Sequence, residues 1–105
     1  MIVKRISAEK ARDMLKTRPN IQIVDIRDAH SFGASHIPGS THLSEQNIEE
    51  FIEETRSDTA LIVMCYHGIS SQSATAYLSS RGFIETYSMD GGFEAWKLLC
   101  EGLRH

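Results

Sequence analysis

A chain of 105 residues, 41% hydrophobic and 24% charged, has the composition of one ordinary globular domain and not of a disordered, collagen-like or coiled-coil polymer. Its net charge of -3 comes from interspersed acids and bases, with no concentrated basic patch of the kind that grips nucleic acid. The longest apolar run, Ala60–Tyr66, is far shorter than the ~20 residues a spanning helix needs. The opening residues, Met1–Arg5, lack the apolar stretch of a signal peptide. Two cysteines, Cys65 and Cys100, are too few for a secreted disulfide framework, so a soluble cytoplasmic protein is expected.

Along the chain, Val3–Ile6 is a short β-prone start. Ser7 then caps a helix to about Thr17 that sets Ala8, Ala11, Met14 and Leu15 on one face. Pro19 ends it, because proline cannot continue the hydrogen-bond ladder. The β-branched run Ile21–Ile26 reads as a strand, followed by a helical turn over Ala29–Ala34 and a turn at Pro38-Gly39. Ser44 is expected to cap a second helix carrying Ile48, Phe51 and Ile52. Ala60–Met64 is continuously apolar and predicts a strand covered on both faces. Ser70 or Ser71 opens a helix to about Arg81, Phe83–Ser88 is a further strand, Asp90-Gly91-Gly92 a turn, and Phe93–Leu99 a last helix. Strands alternating with helices over short connections imply an α/β fold with a mostly parallel sheet covered by helices on both faces.

Ligands of such sheets bind beyond the carboxyl ends of the strands. The most buried-looking strand ends at Met64, and Cys65-Tyr66-His67-Gly68-Ile69-Ser70-Ser71 leads from it into a helix. A loop wrapped over the sulfur aims backbone N–H groups inward, and the helix N-terminus adds positive potential; both lower the thiol pKa from its free value of about 8.5. Gly68 permits the tight curvature. Ser70 and Ser71 supply hydroxyls, and His67 a cation or a directed hydrogen bond at the mouth. The bland reading of Cys65, a small hydrophobe finishing a buried strand, gives way to a reactive thiol in this strand–loop–helix setting.

Four segments resemble the motifs of single-domain rhodaneses, in order, over about Ile6 to Leu99. They are Val24-Asp25-Ile26-Arg27; Phe32 with Ser35-His36-Ile37-Pro38-Gly39-Ser40; Val63–Ser71; and Tyr87–Trp96. The resemblance is strongest to the short bacterial thiosulfate sulfurtransferases. It implies a rhodanese-like, five-stranded sheet with residues 1–105 as one domain and a core at about 6–99. It also implies a two-step transfer in which Cys65 takes the outer sulfur of thiosulfate as a persulfide and passes it to cyanide or to a thiol such as thioredoxin. Tyr66, His67, Gly68, Ile69, Ser70 and Ser71 would bind the substrate, and neither metal nor organic cofactor is implied. Two positions depart from the pattern. Ser35 replaces the usual glycine, and Ile69 is apolar where a polar residue would help hold an anion.

The rival readings are a carrier that relays persulfide sulfur to a protein partner, and a phosphatase or arsenate reductase of the same fold. The latter two place an arginine six positions after the cysteine to clamp the oxyanion, and position 71 is Ser71. Asp25 and Arg27 read as a structural ion pair at the strand ends. His30, His36 and His42 lack a metal-ligand spacing, and His36 is expected to hydrogen-bond a turn. Cys100 reads as a bystander, Trp96 as core packing and Glu49, Glu50, Glu53 and Glu54 as a solvated helix face. The small charge and short domain fit a monomer or a homodimer.

Overall fold

A computed structural model describes residues 3–102; Met1, Ile2 and 103–105, the ends of the 1–105 span expected as the domain, lie outside the described residues. The elements in chain order are β1 (Arg5–Ile6), α1 (Ala8–Thr17), β2 (Ile21–Asp25), α2 (Ala29–Ala34) and β3 (Thr41–His42). They continue as α3 (Ile48–Glu54), β4 (Ala60–Met64), α4 (Ser70–Ser80), β5 (Thr86–Met89) and α5 (Gly92–Gly102). The five strands form one sheet in the order β1-β5-β4-β2-β3, and every pairing is parallel.

The central place of β4 follows from its composition. All five of its residues are buried, and only a strand covered on both faces can use an unbroken apolar run. Ile62 and Met64 face one layer, with Ala8, Ala11 and Met14 of α1 and Phe93 of α5. Leu61 and Val63 face the other, with Leu78 of α4 and Phe51 of α3 packed against them. Asp25 lies level with Met64, and Val63 with Ser88, so the loops after β2, β4 and β5 leave the sheet at one common edge. Arg18, just after α1, forms a bidentate ion pair with Glu85, just before β5; it holds that carboxyl down to about 2.

Ser7 caps α1, its hydroxyl accepting from the Lys10 N–H at 3.0 Å, and α2 and α4 fall where the sequence puts them. Several boundaries differ: β2 ends at Asp25 rather than Ile26, and α5 starts at Gly92, inside the expected turn, and runs past Leu99 to Gly102. β1 begins only at Arg5, although Lys4 still accepts from the Ser88 N–H. The strand expected at Phe83–Ser88 is β5 at Thr86–Met89; Phe83 instead packs with the α3–α4 layer, and Gly82 and Ile84 bond back to neighbouring turns. Ser44 does not cap α3. Asn47 holds the capping position, with its Oδ1 accepting from the Ser44 N–H at 2.7 Å and its Nδ2 donating to the His42 carbonyl at 2.8 Å. Finally, β3 is an edge strand of two residues that periodicity does not reveal.

Replacing Ile62 by alanine should remove about 2–5 kcal/mol of unfolding free energy, since it leaves a void between two packed layers. Urea titration checks this, and a loss below about 1 kcal/mol would contradict the packing described.

Candidate active site

At the common strand edge, the chain leaves β4 at Met64 and turns through Cys65–Ile69 before α4 begins at Ser70. Ile69 occupies the capping position with no side-chain bond to the helix N–H groups. Those groups are thereby free to point at the sulfur. The Gly68 N–H donates to Sγ at 3.1 Å and the Ser71 N–H at 3.3 Å. Cys65 is only 5% exposed.

Burial alone pushes the Cys65 thiol up. Hydrogen bonds from the Ser71 hydroxyl and from the N–H groups of Ser71, Gly68 and His67 outweigh it, and leave the thiol below its ordinary range. The N-terminal end of an 11-residue helix favours the anion as well.

The loop is held from behind by α5. The Phe93 N–H donates to the Cys65 carbonyl at 2.7 Å and the Glu94 N–H to the Tyr66 carbonyl at 3.2 Å. This approach is close enough to exclude side chains at two positions. A Cβ on Gly92 would lie 2.3 Å from the Cys65 carbonyl oxygen, and one on Gly68 would lie 2.7 Å from the Gly91 nitrogen. Both residues also have positive φ, +57° and +85°.

Arg27 braces the same assembly from the end of β2. It is buried, grips Asp25 through Nε and Nη2, and donates to the Ser35 carbonyl at 2.6 Å. Its guanidinium stacks 3.9 Å from the Phe93 ring centroid and 5.3 Å from that of Tyr66. The structural ion pair expected of Asp25 and Arg27 is therefore present, and it also abuts the loop. A cleft of about 400 Å³ opens beside it, lined by His30, Tyr66 and Lys97 among others.

The residues singled out in the loop divide by burial. Ser71 and Gly68 are buried against the sulfur, whereas Tyr66, His67, Ile69 and Ser70 are exposed around the rim. Tyr66 donates its hydroxyl to Ser31 of α2 at 2.9 Å. The exposed imidazole of His67 lies near the Tyr66 ring, 5.9 Å between centroids. Ile69 is 75% exposed. Of the three regularly spaced histidines, His36 bonds the Phe32 carbonyl at 2.8 Å, as expected of a turn, His42 bonds the Arg27 carbonyl at 2.7 Å, and His30 lines the cleft beside Arg27. Trp96 packs on the α1–α5 layer, and Cys100 is half-buried further along α5.

Sequence reasoning missed two contributions. The grip of the Phe93 and Glu94 N–H groups is a contact between segments nearly 30 residues apart, signalled only by the paired glycines before an apolar helix. Ser88, a hydroxyl bonded to Ser71 beneath the loop, was signalled only by being polar in an otherwise buried strand.

Comparison with known proteins agrees with this geometry. Residues 7–99 match the family model described as Rhodanese-like domain. Thiosulfate sulfurtransferase GlpE of Stutzerimonas stutzeri is 53% identical over 94 residues, spanning 90% of this chain and 84% of that protein. The protein of the same name from Pseudoalteromonas translucida is 47% identical over 97 residues, spanning 92% and 91%. Among solved structures, a rhodanese-like domain from an Anabaena species has a TM-score of 0.83 at 22% identity, covering 93% of this chain and 76% of that one. A rhodanese-like domain protein from Staphylococcus aureus has a TM-score of 0.79 at 23% identity, covering 90% and 91%.

A thiol whose pKa is lowered keeps more thiolate as the pH falls, so the rate of Cys65 alkylation by iodoacetamide should inflect below the free-cysteine value of about 8.5. Peptide mapping of Cys65 across pH checks this, and an inflection at or above that value would contradict the donor arrangement. Gly92→Ala should lower stability by about 2 kcal/mol or more and drive that inflection upward, because the new methyl displaces the Cys65 carbonyl from the α5 N–H groups. Thermal melts and the same alkylation profile measure both effects.

Proposed function

Because the chain belongs to the rhodanese-like domain family, we propose that it is a thiosulfate sulfurtransferase that works through a persulfide on Cys65. The Cys65 thiolate attacks the outer sulfur of thiosulfate. The sulfur–sulfur bond of the donor breaks, sulfite leaves with the electron pair, and Cys65 carries the added sulfur as an anionic persulfide. Cyanide or a thiolate then attacks the outer persulfide sulfur, leaves as thiocyanate or a new persulfide, and the Cys65 thiolate returns. Neither step needs a metal or an organic cofactor to balance.

The observation that carries this reading is the convergence of N–H donors on Sγ, from Gly68 and Ser71, at the mouth of a helix N-terminus. Such donors stabilise negative charge on the attacking sulfur, and the same concave loop suits the charge of the persulfide. In this reading Cys65 is the catalytic residue. The substrate-binding loop is Tyr66, His67, Gly68, Ile69, Ser70 and Ser71, with His67 at the mouth as the cationic or hydrogen-bonding helper. The 1–105 span is read as one domain, monomeric or homodimeric. Two unpaired cysteines fit a reducing compartment, which supports a cytoplasmic setting, and among the described residues no helix is long and apolar enough to cross a membrane.

Phosphate chemistry is disfavoured by the arginines. Arg81 sits at the far end of α4 and is bonded to Glu49 at 2.7 Å, and Arg27 is held by Asp25, so neither is free to clamp a tetrahedral oxyanion at Cys65. One observation favours delivery of sulfur to a protein thiol such as thioredoxin as the second half-reaction. The rim beside Cys65 carries Ile69 at 75% and Tyr66 at 40% exposure, apolar surface that suits a protein better than cyanide.

Incubating the reduced protein with thiosulfate should add one sulfur, about 32 Da, to Cys65, and cyanide should remove it with release of thiocyanate. Cys65→Ser should abolish both steps while keeping the wild-type melting temperature. Intact-mass spectrometry reads the outcome; no mass gain on the wild-type protein overturns thiosulfate as the donor, and turnover by Cys65→Ser overturns the persulfide.

A further inference from the structure

The two transfer steps use the N–H of Gly68 and leave its carbonyl without a role. Gly68 is buried, and its N–H, 3.1 Å from Sγ, is the nearer of the Gly68 and Ser71 donors. Glycine has the widest choice of φ and ψ, so the residue that presents this donor is also the one whose own backbone preference holds it least. Its carbonyl needs a partner as well, since a buried carbonyl left unpaired is costly. Continuing α4 backwards by a turn would supply one from the Gln72 N–H, but that group donates to the Ile69 carbonyl at 3.2 Å. Among the described residues no backbone N–H donates to the Gly68 carbonyl. The Gln72 side chain does so instead, with its Nε2 2.9 Å from the Gly68 oxygen.

Gln72 is half-buried in the first turn of α4, four residues beyond Gly68. Only Nε2 can face a carbonyl, because the reversed amide would set two acceptors against each other. Through its backbone and its side chain, this one residue holds two successive loop carbonyls, those of Ile69 and Gly68. Gly68 is also confined by the end of β5 and the turn after it, where a Cβ would lie 3.1 Å from the Met89 carbonyl oxygen and 2.7 Å from the Gly91 nitrogen. With that turn packed against its Cα and Gln72 on its carbonyl, the glycine is held at φ +85°. We propose that Gln72 is a positioning residue: its side-chain amide holds the Gly68 carbonyl and so keeps the Gly68 N–H on the Cys65 sulfur. It is a neutral brace, which adds no charge of its own beside an anion. From within α4 it complements the hold that α5 has on the Cys65 and Tyr66 carbonyls.

This inference rests on the reading of Cys65 as the nucleophile. Ionisable groups flank the site. The Asp25–Arg27 pair stands at the end of β2, His30 on α2, Tyr66 and His67 in the loop, Asp90 after β5 bonded to Arg5, and Glu94 and Lys97 on α5. The only ionisable side chain of α4 is Tyr77. Exchanging Gln72 for methionine alters none of these charges and keeps an unbranched side chain that suits a helix, so its effect on Cys65 reports on the lost amide.

The test follows the Cys65 titration in the full chain, by iodoacetamide alkylation and by the amide proton shifts of Gly68 and Ser71. In the wild-type protein both shifts should move as the thiol ionises, because both N–H groups face the sulfur. In Gln72→Met the Gly68 excursion should fall by about half or more, since a hydrogen bond weakens steeply as its geometry is lost. The Ser71 amide, fixed within α4, should keep its own excursion. The alkylation inflection should rise by about half a pH unit, and the rate below it should fall about twofold, the freer thiolate being intrinsically more nucleophilic. Gln72→Glu keeps the shape of glutamine but has no proton to donate above about pH 6, and its Gly68 excursion should fall in the same way. That measurement stands even if the methionine variant does not fold. An unchanged Gly68 excursion in either variant, equal losses at Gly68 and Ser71, or an unmoved inflection in Gln72→Met would each overturn the brace. A wild-type inflection at or above about 8.5 would instead strike the thiolate reading of Cys65, on which the brace depends.

Discussion

Negative charge on a sulfur that is only 5% exposed has to be matched by donors within the protein, because water cannot supply them. The rest of the architecture can be derived from that requirement. Backbone N–H groups are the only donors in the loop that add no bulk and no competing charge, so the chain after Cys65 must curl until Gly68 and Ser71 face the sulfur. A curled loop of this kind turns its carbonyls outward, and these need partners in their turn. The first turn of α5 provides them, through Phe93 and Glu94. Two helix N-termini thus meet at one loop: α4 supplies donors to the sulfur, and α5 to the carbonyls that flank it.

That double use explains why the sheet order matters. β4 lies between β2 and β5, and their ends are level, so the loop from β4 is bordered on one side by Arg27 and on the other by Gly91–Gly92. Arg27 would be an unfavourable buried charge in isolation. Here it is bidentate on Asp25, bonded to the Ser35 carbonyl and stacked on Phe93, so one side chain ties β2, α2 and α5 together behind the loop.

What could be read from the residues depended on whether the determining contact was local. Ser7 with Lys10 three residues on, the apolar run Ala60–Met64 and the Cys65–Ser71 loop carry their information in adjacent positions, and each appears where the sequence puts it. Ser44 and Asn47 are both good caps, and the choice between them was made by the His42 carbonyl, which only the Asn47 amide reaches. β3 exists because Val24 and Asp25 offer an open edge to Thr41 and His42, and two residues have no period to detect. Phe83 looks like a strand residue by propensity but is drawn out of the ladder to pack on Phe51. In the site, the concave loop after Cys65, with its N–H groups on the sulfur, was legible. The α5 grip and Ser88 were not, since both are contacts made across the fold. The resemblance to rhodaneses supplied the reaction and the fifth strand, neither of which propensity could deliver.

The attachment of the Cys65 carbonyl to the Phe93 N–H ties the chemistry to the order of chain assembly. β4 can pair with β2 as soon as both exist, but its other neighbour and the donors behind the loop come from residues 86–94. During synthesis, or in a partly opened state that sheds α5, the Cys65 and Tyr66 carbonyls lose the N–H groups of Phe93 and Glu94, and the loop over the sulfur stands without its brace. The shape of that loop is thus a readout of completed folding.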